Sequence, residues 1–238
     1  MHAPPHVSAD LISIIVPVYN EEATIAAVVD RLRHIPLPAR REIIVVNDGS
    51  RDGTRDALER LAHTDPALTV VHVDCNQGKG HAVRIGLARS QGAVTVIQDA
   101  DLELDPIQIS SLVEPILAGQ ADVVYGSRFL DGAGAASGMT FLGNRVLTWV
   151  TNVLFGASLT DMETCYKVMR GDLARGLRLE ANRFEIEPEI TARLLLAGCR
   201  VVERPVRFSP RSKAAGKKIR WRDGVHALAV LIRLRVRP

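Results

Sequence analysis

Four carboxylates stand at alternate positions in Gln98-Asp99-Ala100-Asp101-Leu102-Glu103-Leu104-Asp105-Pro106. Hard oxygen ligands set two residues apart suit a divalent cation such as Mg²⁺ or Mn²⁺, and such cations commonly bridge phosphate oxygens. The apolar run over residues 93–97 that leads into them reads as a buried strand of a parallel sheet. In open α/β sheets ligands collect outside the carboxyl ends of the strands. These residues therefore predict a metal-assisted enzyme acting on a phosphorylated substrate. A purely architectural reading stands beside it, in which Asp99, Asp101 and Glu103 cap the next helix and Pro106 begins it.

Three further tips of the same kind precede the acidic one. Residues 11–18 read as a strand that ends in Val16-Pro17-Val18-Tyr19-Asn20-Glu21-Glu22. There Tyr19 can stack on a ligand and Glu21 can hydrogen-bond to it; alternatively, Asn20 caps the following helix while both glutamates favour its positive end. The next strand runs into Asn47-Asp48-Gly49-Ser50-Arg51-Asp52-Gly53, where Asp48 can accept from a ribose or a base and Asp52-Gly53 alone makes a turn. The third tip is Asn76-Gln77-Gly78-Lys79-Gly80-His81. Its glycines let backbone approach a phosphate, and Lys79 adds charge at a helix N-terminus. It matches neither the dinucleotide fingerprint nor the P-loop.

Strands at residues 11–18, 42–47, 68–73, 93–98 and 121–125 alternate with helices at 22–33 and 54–62 and with helices beginning near Lys79 and Ile107. That spacing predicts βαβ units and a parallel sheet. The second half is less regular. A glycine-rich loop at 131–138 precedes helices at 141–159 and 187–197, a strand at 200–208 and a last helix at 222–234. Crossing a bilayer takes about 20 predominantly apolar residues, so no helix is expected to span one. The 141–159 and 222–234 helices suit a membrane surface instead, or simple core packing.

The 238 residues are 47% hydrophobic and 24% charged, as in a soluble globular protein. Three cysteines with no Cys-x-x-Cys spacing argue against disulfides or zinc and fit a reducing, cytoplasmic setting. No secretory signal is visible at the N-terminus. The net charge of +3 hides an asymmetry, since residues 200–238 hold 12 Lys/Arg against 2 Asp/Glu. Such a segment suits an anionic partner, or is merely a solvated face. Nucleic acid is a distant alternative, because no nucleic-acid motif is present and an aromatic content of 4% leaves few stacking platforms.

Taken in order, Val16-Pro17-Val18-Tyr19-Asn20-Glu21-Glu22, Val46-Asn47-Asp48-Gly49-Ser50, Asn76-x-Gly78-Lys79-Gly80, Gln98-Asp99-Ala100-Asp101-Leu102-Glu103 and Gly126-Ser127-Arg128 carry a family resemblance. The chain resembles inverting family 2 glycosyltransferases of GT-A fold, in their dolichyl-phosphate mannose synthase-like branch, over residues 11–222. Asp161-Met-Glu-Thr-Cys-Tyr-Lys167, Phe184-Glu-Ile-Glu187-Pro-Glu189, Pro205-x-x-Phe208-x-x-Arg211 and Gly216-Lys217-Lys218 resemble bacterial polyprenyl-phosphate glycosyltransferases.

The resemblance implies an α/β fold with a Rossmann-like, mostly parallel central sheet flanked by helices and an acceptor-side C-terminal subregion. A flexible stretch at 1–10 would precede a catalytic domain at 11–222, divided into a nucleotide-sugar half (11–128) and an acceptor half (129–222). A basic amphipathic helix at 223–238 would follow. Pro17, Tyr19, Glu21 and Asp48 would hold the nucleoside, Lys79, Asp99, Ala100 and Arg211 the rest of the sugar nucleotide, and Asp101 and Glu103 the Mg²⁺ or Mn²⁺. Arg128, Arg145, Lys217 and Lys218 would hold the acceptor phosphate, with Asp161 in reserve as a base. The implied partners are GDP-mannose or UDP-glucose, a polyprenyl phosphate and the cytosolic membrane surface. A soluble phosphorylated metabolite or a glycan is the alternative acceptor.

Overall fold

Strand β1 (Ser8–Val18) has both faces buried: Ile12, Ile14, Ile15 and Val16 expose no surface. Its side chains alternate across the pleat, which puts Ile12, Ile14 and Val16 in one core and Ile15 in the other. The computed structural model describes residues 8–130, 139–210 and 221–237. The expected loop at 131–138 and the cations Arg211, Lys217 and Lys218 lie outside the described residues. Ser8 to Asp10 are already strand, with Ser8 opposite Gly92, so the stretch expected to be flexible overlaps the sheet.

Around β1 the chain lays down α1 (Ile25–His34), β2 (Arg40–Asp48), α2 (Thr54–Thr64), β3 (Leu68–Val73), α3 (Lys79–Arg89) and β4 (Gly92–Ile97). A 3₁₀ turn (Pro106–Gln108) and α4 (Ile109–Leu117) lead to β5 (Val123–Ser127), followed by α5 (Met139–Phe155), β6 (Lys167–Arg170), α6 (Gly171–Gly176), α7 (Ile186–Leu196), β7 (Val201–Pro205) and α8 (Trp221–Val236). The seven strands form one sheet in the order β3-β2-β1-β4-β6-β5-β7. β1 pairs in parallel with β2 and with β4, so the order reverses direction at the β1/β4 boundary. This switch point is where a crevice opens above an α/β sheet.

β6 departs from the expected pattern, being antiparallel to both β4 and β5. Its sequence hides it, because a lysine opens a strand of only four residues. α5 stops at Phe155, short of the expected Leu159. Gly156 follows at φ +67°, the left-handed conformation that ends helices. α8, expected to be an appendage, packs on α5 and α7 and buries Ala227, Leu231 and Leu234.

α3 lies on β1 through Gly86, where a Cβ would overlap Ile15 Cγ2. Gly86→Ala gains helix propensity of about 1 kcal/mol but overpacks a full core at about 1–3 kcal/mol. The expected outcome in a thermal melt is a lower midpoint, by about 2–4 °C per kcal/mol of net loss. A raised midpoint would show that Ile15 gives way without cost.

Candidate active site

Two tips meet at the switch point. Thr24 Oγ1 donates to the Ala100 carbonyl at 2.7 Å and to Glu21 Oε2 at 3.0 Å, tying the end of β1 to the end of β4. Asn20 and Glu22 do not cap α1. Asn20 Oδ1 accepts from Arg51 N at 2.8 Å, and Glu22 Oε2 from Gly53 N at 3.0 Å. In return Ser50 Oγ accepts from Asn20 N, so the β1 and β2 tips are stitched together. Pro17 and Glu21 are buried here and Tyr19 is half-buried.

The acidic tip is sharply bent. Leu102 has φ +60° and Asn20 has φ +52°. A left-handed leucine costs roughly 1–2 kcal/mol, and such strain clusters at functional sites. Asp101 Oδ1 accepts from Glu103 N at 3.1 Å across that bend. Capping falls to Asp105, which accepts from Ile107 N at 3.1 Å; Asp99, Asp101 and Glu103 have other positions. Asp99 faces Lys79 at 2.7 Å. Burial opposes its ionisation, but the Lys79 ammonium outweighs burial and holds its carboxyl below the usual range. Among the described residues no cluster of three or more His, Cys, Asp or Glu forms a ready cage for a metal. A cation that sits mostly on substrate phosphates needs only one or two carboxylates, and Asp101 with Glu103 could offer that donor set.

Lys79 is engaged by carboxylates within the protein. Its ammonium sits between Asp99 and Glu187 Oε1, the latter at 2.9 Å, and the other Glu187 oxygen takes the fully buried Lys167. The glycines beside it have a different task from the one expected. A Cβ on Gly78 would stand 2.5 Å from the Asn182 carbonyl, and one on Gly80 would strike the Ala181 carbonyl. His81 N donates to Asn182 O at 3.0 Å. The start of α3 is thus pressed against protein backbone. Asp48 anchors the same loop, accepting from Asn76 Nδ2 at 2.9 Å and from Gly78 N at 2.7 Å.

At the tip of β5, Arg128 and Asp161 form a two-pronged pair. Nε and Nη2 each donate at 2.7 Å, and Arg128 N donates at 3.0 Å to the same carboxylate. Asn144 Nδ2 on α5 supplies a fourth hydrogen bond to Asp161 at 3.1 Å. Asp161 is fully buried, and these bonds satisfy both of its carboxylate oxygens. Arg128 lies 5.3 Å from the Phe208 ring and 5.6 Å from that of Phe129. Burial alone would lower its pKa, but the Asp161 carboxylate raises it. Ser209 N donates to Glu103 O at 2.8 Å, which brings the chain leading toward Arg211 beside the acidic tip. Arg145 is exposed on α5.

Sequence reasoning gives no role to Glu163, Lys167, Glu187 or Asn144. The first three fall inside motifs that carry the resemblance, whereas Asn144 has no signal of its own. Glu163 is half-buried, and its Oε1 is shut from solvent with no hydrogen-bond partner. An unsatisfied buried polar group costs about 1–3 kcal/mol. Burial pushes its carboxyl up to about 7, with Glu187 and Asp161 adding to the shift and Lys167 and Arg128 opposing it.

A mostly parallel seven-stranded sheet with its strand tips, an acidic turn and a clamped arginine gathered about the switch point is the architecture of a GT-A fold. The family model for glycosyl transferase family 2 matches residues 13–165. The chain is 31% identical to an undecaprenyl-phosphate mannosyltransferase from Micrococcus luteus over 85% of both proteins. It is 30% identical to a polyprenol monophosphomannose synthase from Mycolicibacterium smegmatis, over 87% of this chain and 82% of the relative. A glucosyl-3-phosphoglycerate synthase from Mycobacterium tuberculosis, solved with Mn²⁺, UDP and phosphoglyceric acid, superposes with TM-score 0.72. That likeness spans 96% of this chain and 80% of the other at 20% identity, and shows a shared fold. This chain belongs to glycosyl transferase family 2 and is a glycosyltransferase.

The folded chain holds the Glu163 proton to higher pH than an unfolded one would. Its ionisation penalty is absent below pH 4.5 and complete above about 7. Glu163→Gln is therefore expected to raise the thermal midpoint at pH 8 and to leave it unchanged at pH 4.5. Equal midpoints at both pH values would place the carboxyl in contact with water.

Proposed function

We propose that this glycosyltransferase moves a hexose, with inversion, from a nucleotide diphosphate sugar to polyprenyl phosphate on the cytosolic membrane face. α5 carries the proposal. One side of this helix supplies Asn144 to the carboxylate that clamps Arg128. Its other side leaves Leu142, Val146, Trp149 and Val153 exposed, Trp149 at 64%. That spacing makes a single apolar stripe, and the exposed Arg145 borders it. α8 repeats the device with Val225, Leu228, Ile232 and Val236, accompanied by Arg235. Among the described residues no helix is long and apolar enough to cross a membrane, so these stripes suit one that lies on it. The two relatives named for polyprenyl acceptors support the same reading.

In this reading residues 11–128 bind the sugar nucleotide and residues 129–222 the acceptor, while the helix at 223–238 adds membrane contact. Pro17, Tyr19, Glu21 and Asp48 face the nucleoside. Asp99 and Ala100 contact the nucleotide, Lys79 fixes Asp99, and Arg211 is a further cation for the sugar nucleotide. Asp101 and Glu103 hold Mg²⁺ or Mn²⁺, which when bound neutralises the departing diphosphate. Arg128, aided by Arg145, Lys217 and Lys218, holds the attacking phosphate. A phosphate monoester, with its second pKa near 6, is already ionised at neutral pH. No base is then required, and Asp161 serves by orienting Arg128. GDP-mannose suits the mannosyl relatives, and UDP-glucose is the other candidate donor.

Radiolabelled GDP-mannose and UDP-glucose, offered with polyprenyl phosphate, test the reaction. Label is expected in butanol-extractable lipid; label only in a water-soluble phosphorylated product would replace the acceptor with a soluble one. Asp101→Ala is expected to slow transfer by about 10²-fold or more, since the metal's charge stabilisation is worth several kcal/mol. A smaller loss would move the metal elsewhere.

Deleting α8 would open the core, so membrane contact is better tested by point changes. Trp149→Ser with Ile232→Ser is expected to weaken sedimentation with anionic vesicles by about 10²-fold or more, given about 1.5–3 kcal/mol for each fully buried large side chain. Turnover on a short-chain, water-soluble acceptor should stay within about twofold of wild type. Unchanged vesicle binding would remove the stripes from the proposal.

A further inference from the structure

We propose that Glu163 binds the hydroxyl groups of the sugar being transferred and so selects which hexose the enzyme moves. The inference rests on the glycosyl-transfer reading and deepens it. Glu163 stands in the turn between α5 and β6, two residues after Asp161 and four before Lys167. Two charged assemblies border it. One is the Arg128–Asp161 clamp; the other is Glu187, which carries Lys167 and also Lys79, the partner of Asp99. In the proposed reaction the first faces the attacking phosphate and the second backs the nucleotide. What lies between attacking phosphate and departing diphosphate is the hexose.

The chemistry of the group matches that position. A carboxyl is poorly suited to either phosphate, because its ionised form repels both anions. A hexose offers neutral hydroxyls that donate to a carboxylate or accept from a carboxylic acid. Glu163 Oε1 is withdrawn from solvent and receives no hydrogen bond among the described residues, so a ligand hydroxyl would complete it. A site built to hydrogen-bond a hydroxyl rejects an analogue that lacks it, because its own polar group is then left unpaired.

Among the described residues the charged groups that act most on this carboxyl are Lys167 on β6, Glu187 on α7, Arg128 at the end of β5 and Asp161 in its own turn, two of each sign. Burial holds it at about 7, so near neutral pH both its forms are present and it can accept or donate. A residue kept at a cost to stability, with an oxygen that has no hydrogen-bond partner among the described residues, suits a binding site.

Calorimetric titration with Mn²⁺ present tests the inference on wild type, Glu163→Gln and Glu163→Ala. The titrants are UDP-glucose and GDP-mannose, each beside its parent diphosphate, together with monodeoxy-hexose analogues of the preferred donor. Glu163→Ala is expected to weaken the sugar nucleotide by about tenfold while leaving the parent diphosphate within about twofold. One deoxy analogue should bind wild type about tenfold worse than the full donor, yet bind Glu163→Ala as well as the full donor does. Both variants should melt no lower than wild type, whereas a residue serving only the fold would melt lower. Equal loss for sugar nucleotide and diphosphate, or no analogue whose deficit disappears in the variant, overturns the inference. If wild type transfers nothing to polyprenyl phosphate but these binding differences hold, the acceptor assignment fails and the role of Glu163 stands. If wild type binds neither sugar nucleotide, both fall.

Discussion

Lys79 joins the two halves of the chain. Its ammonium is shared by Asp99, at the end of β4, and Glu187, on α7, and Glu187 also holds Lys167 on β6. Burying ions costs several kcal/mol each, and only close mutual contact offsets it. Removing any member would leave an uncompensated charge inside the protein. Such an assembly adds little net stability beyond what apolar packing would give; what it does here is set α7 and β6 in register with the β4 tip. Gly78 and Gly80 are the steric counterpart, since only residues without a Cβ let α3 begin against the 181–183 backbone.

Among the described residues the two non-glycine residues with left-handed backbone, Leu102 and Asn20, both stand at strand tips of the site. Glu163 adds an oxygen without a hydrogen-bond partner there, although Thr95 Oγ1 and Arg175 Nη2 are also buried without one. Backbone departures of this kind are expected where a sequence serves chemistry as well as folding.

The amino-acid sequence made the first half readable. Its strands are apolar runs, its helices amphipathic and its breaks polar, so periodicity alone located residues 68–73 as strand and set the others within a few positions. The four tips were legible for the same reason, each following an apolar run. β6 was not, because Lys167 places a full charge at the start of a four-residue strand, and only a partner distant in sequence, Glu187, makes that tolerable. The Arg128–Asp161 pair was equally hidden, its members lying 33 residues apart. Both were seen as separate candidates, and nothing local shows that one clamps the other. The glycines around Lys79 suggested a phosphate cradle, since sequence cannot tell close approach to a ligand from close approach to the protein's own backbone.

α5 is a single rigid rod with work on both sides: apolar side chains reach outward, and Asn144 reaches inward to the carboxylate that aims Arg128. If α5 lies on a bilayer as proposed, a tilt of this helix would shift the carboxylate that holds the guanidinium. Linked equilibria are reciprocal, so phosphate bound at Arg128 would then alter the grip on lipid by the same factor that lipid alters its binding. Residence on the membrane and possession of cargo would then be two readings of one equilibrium.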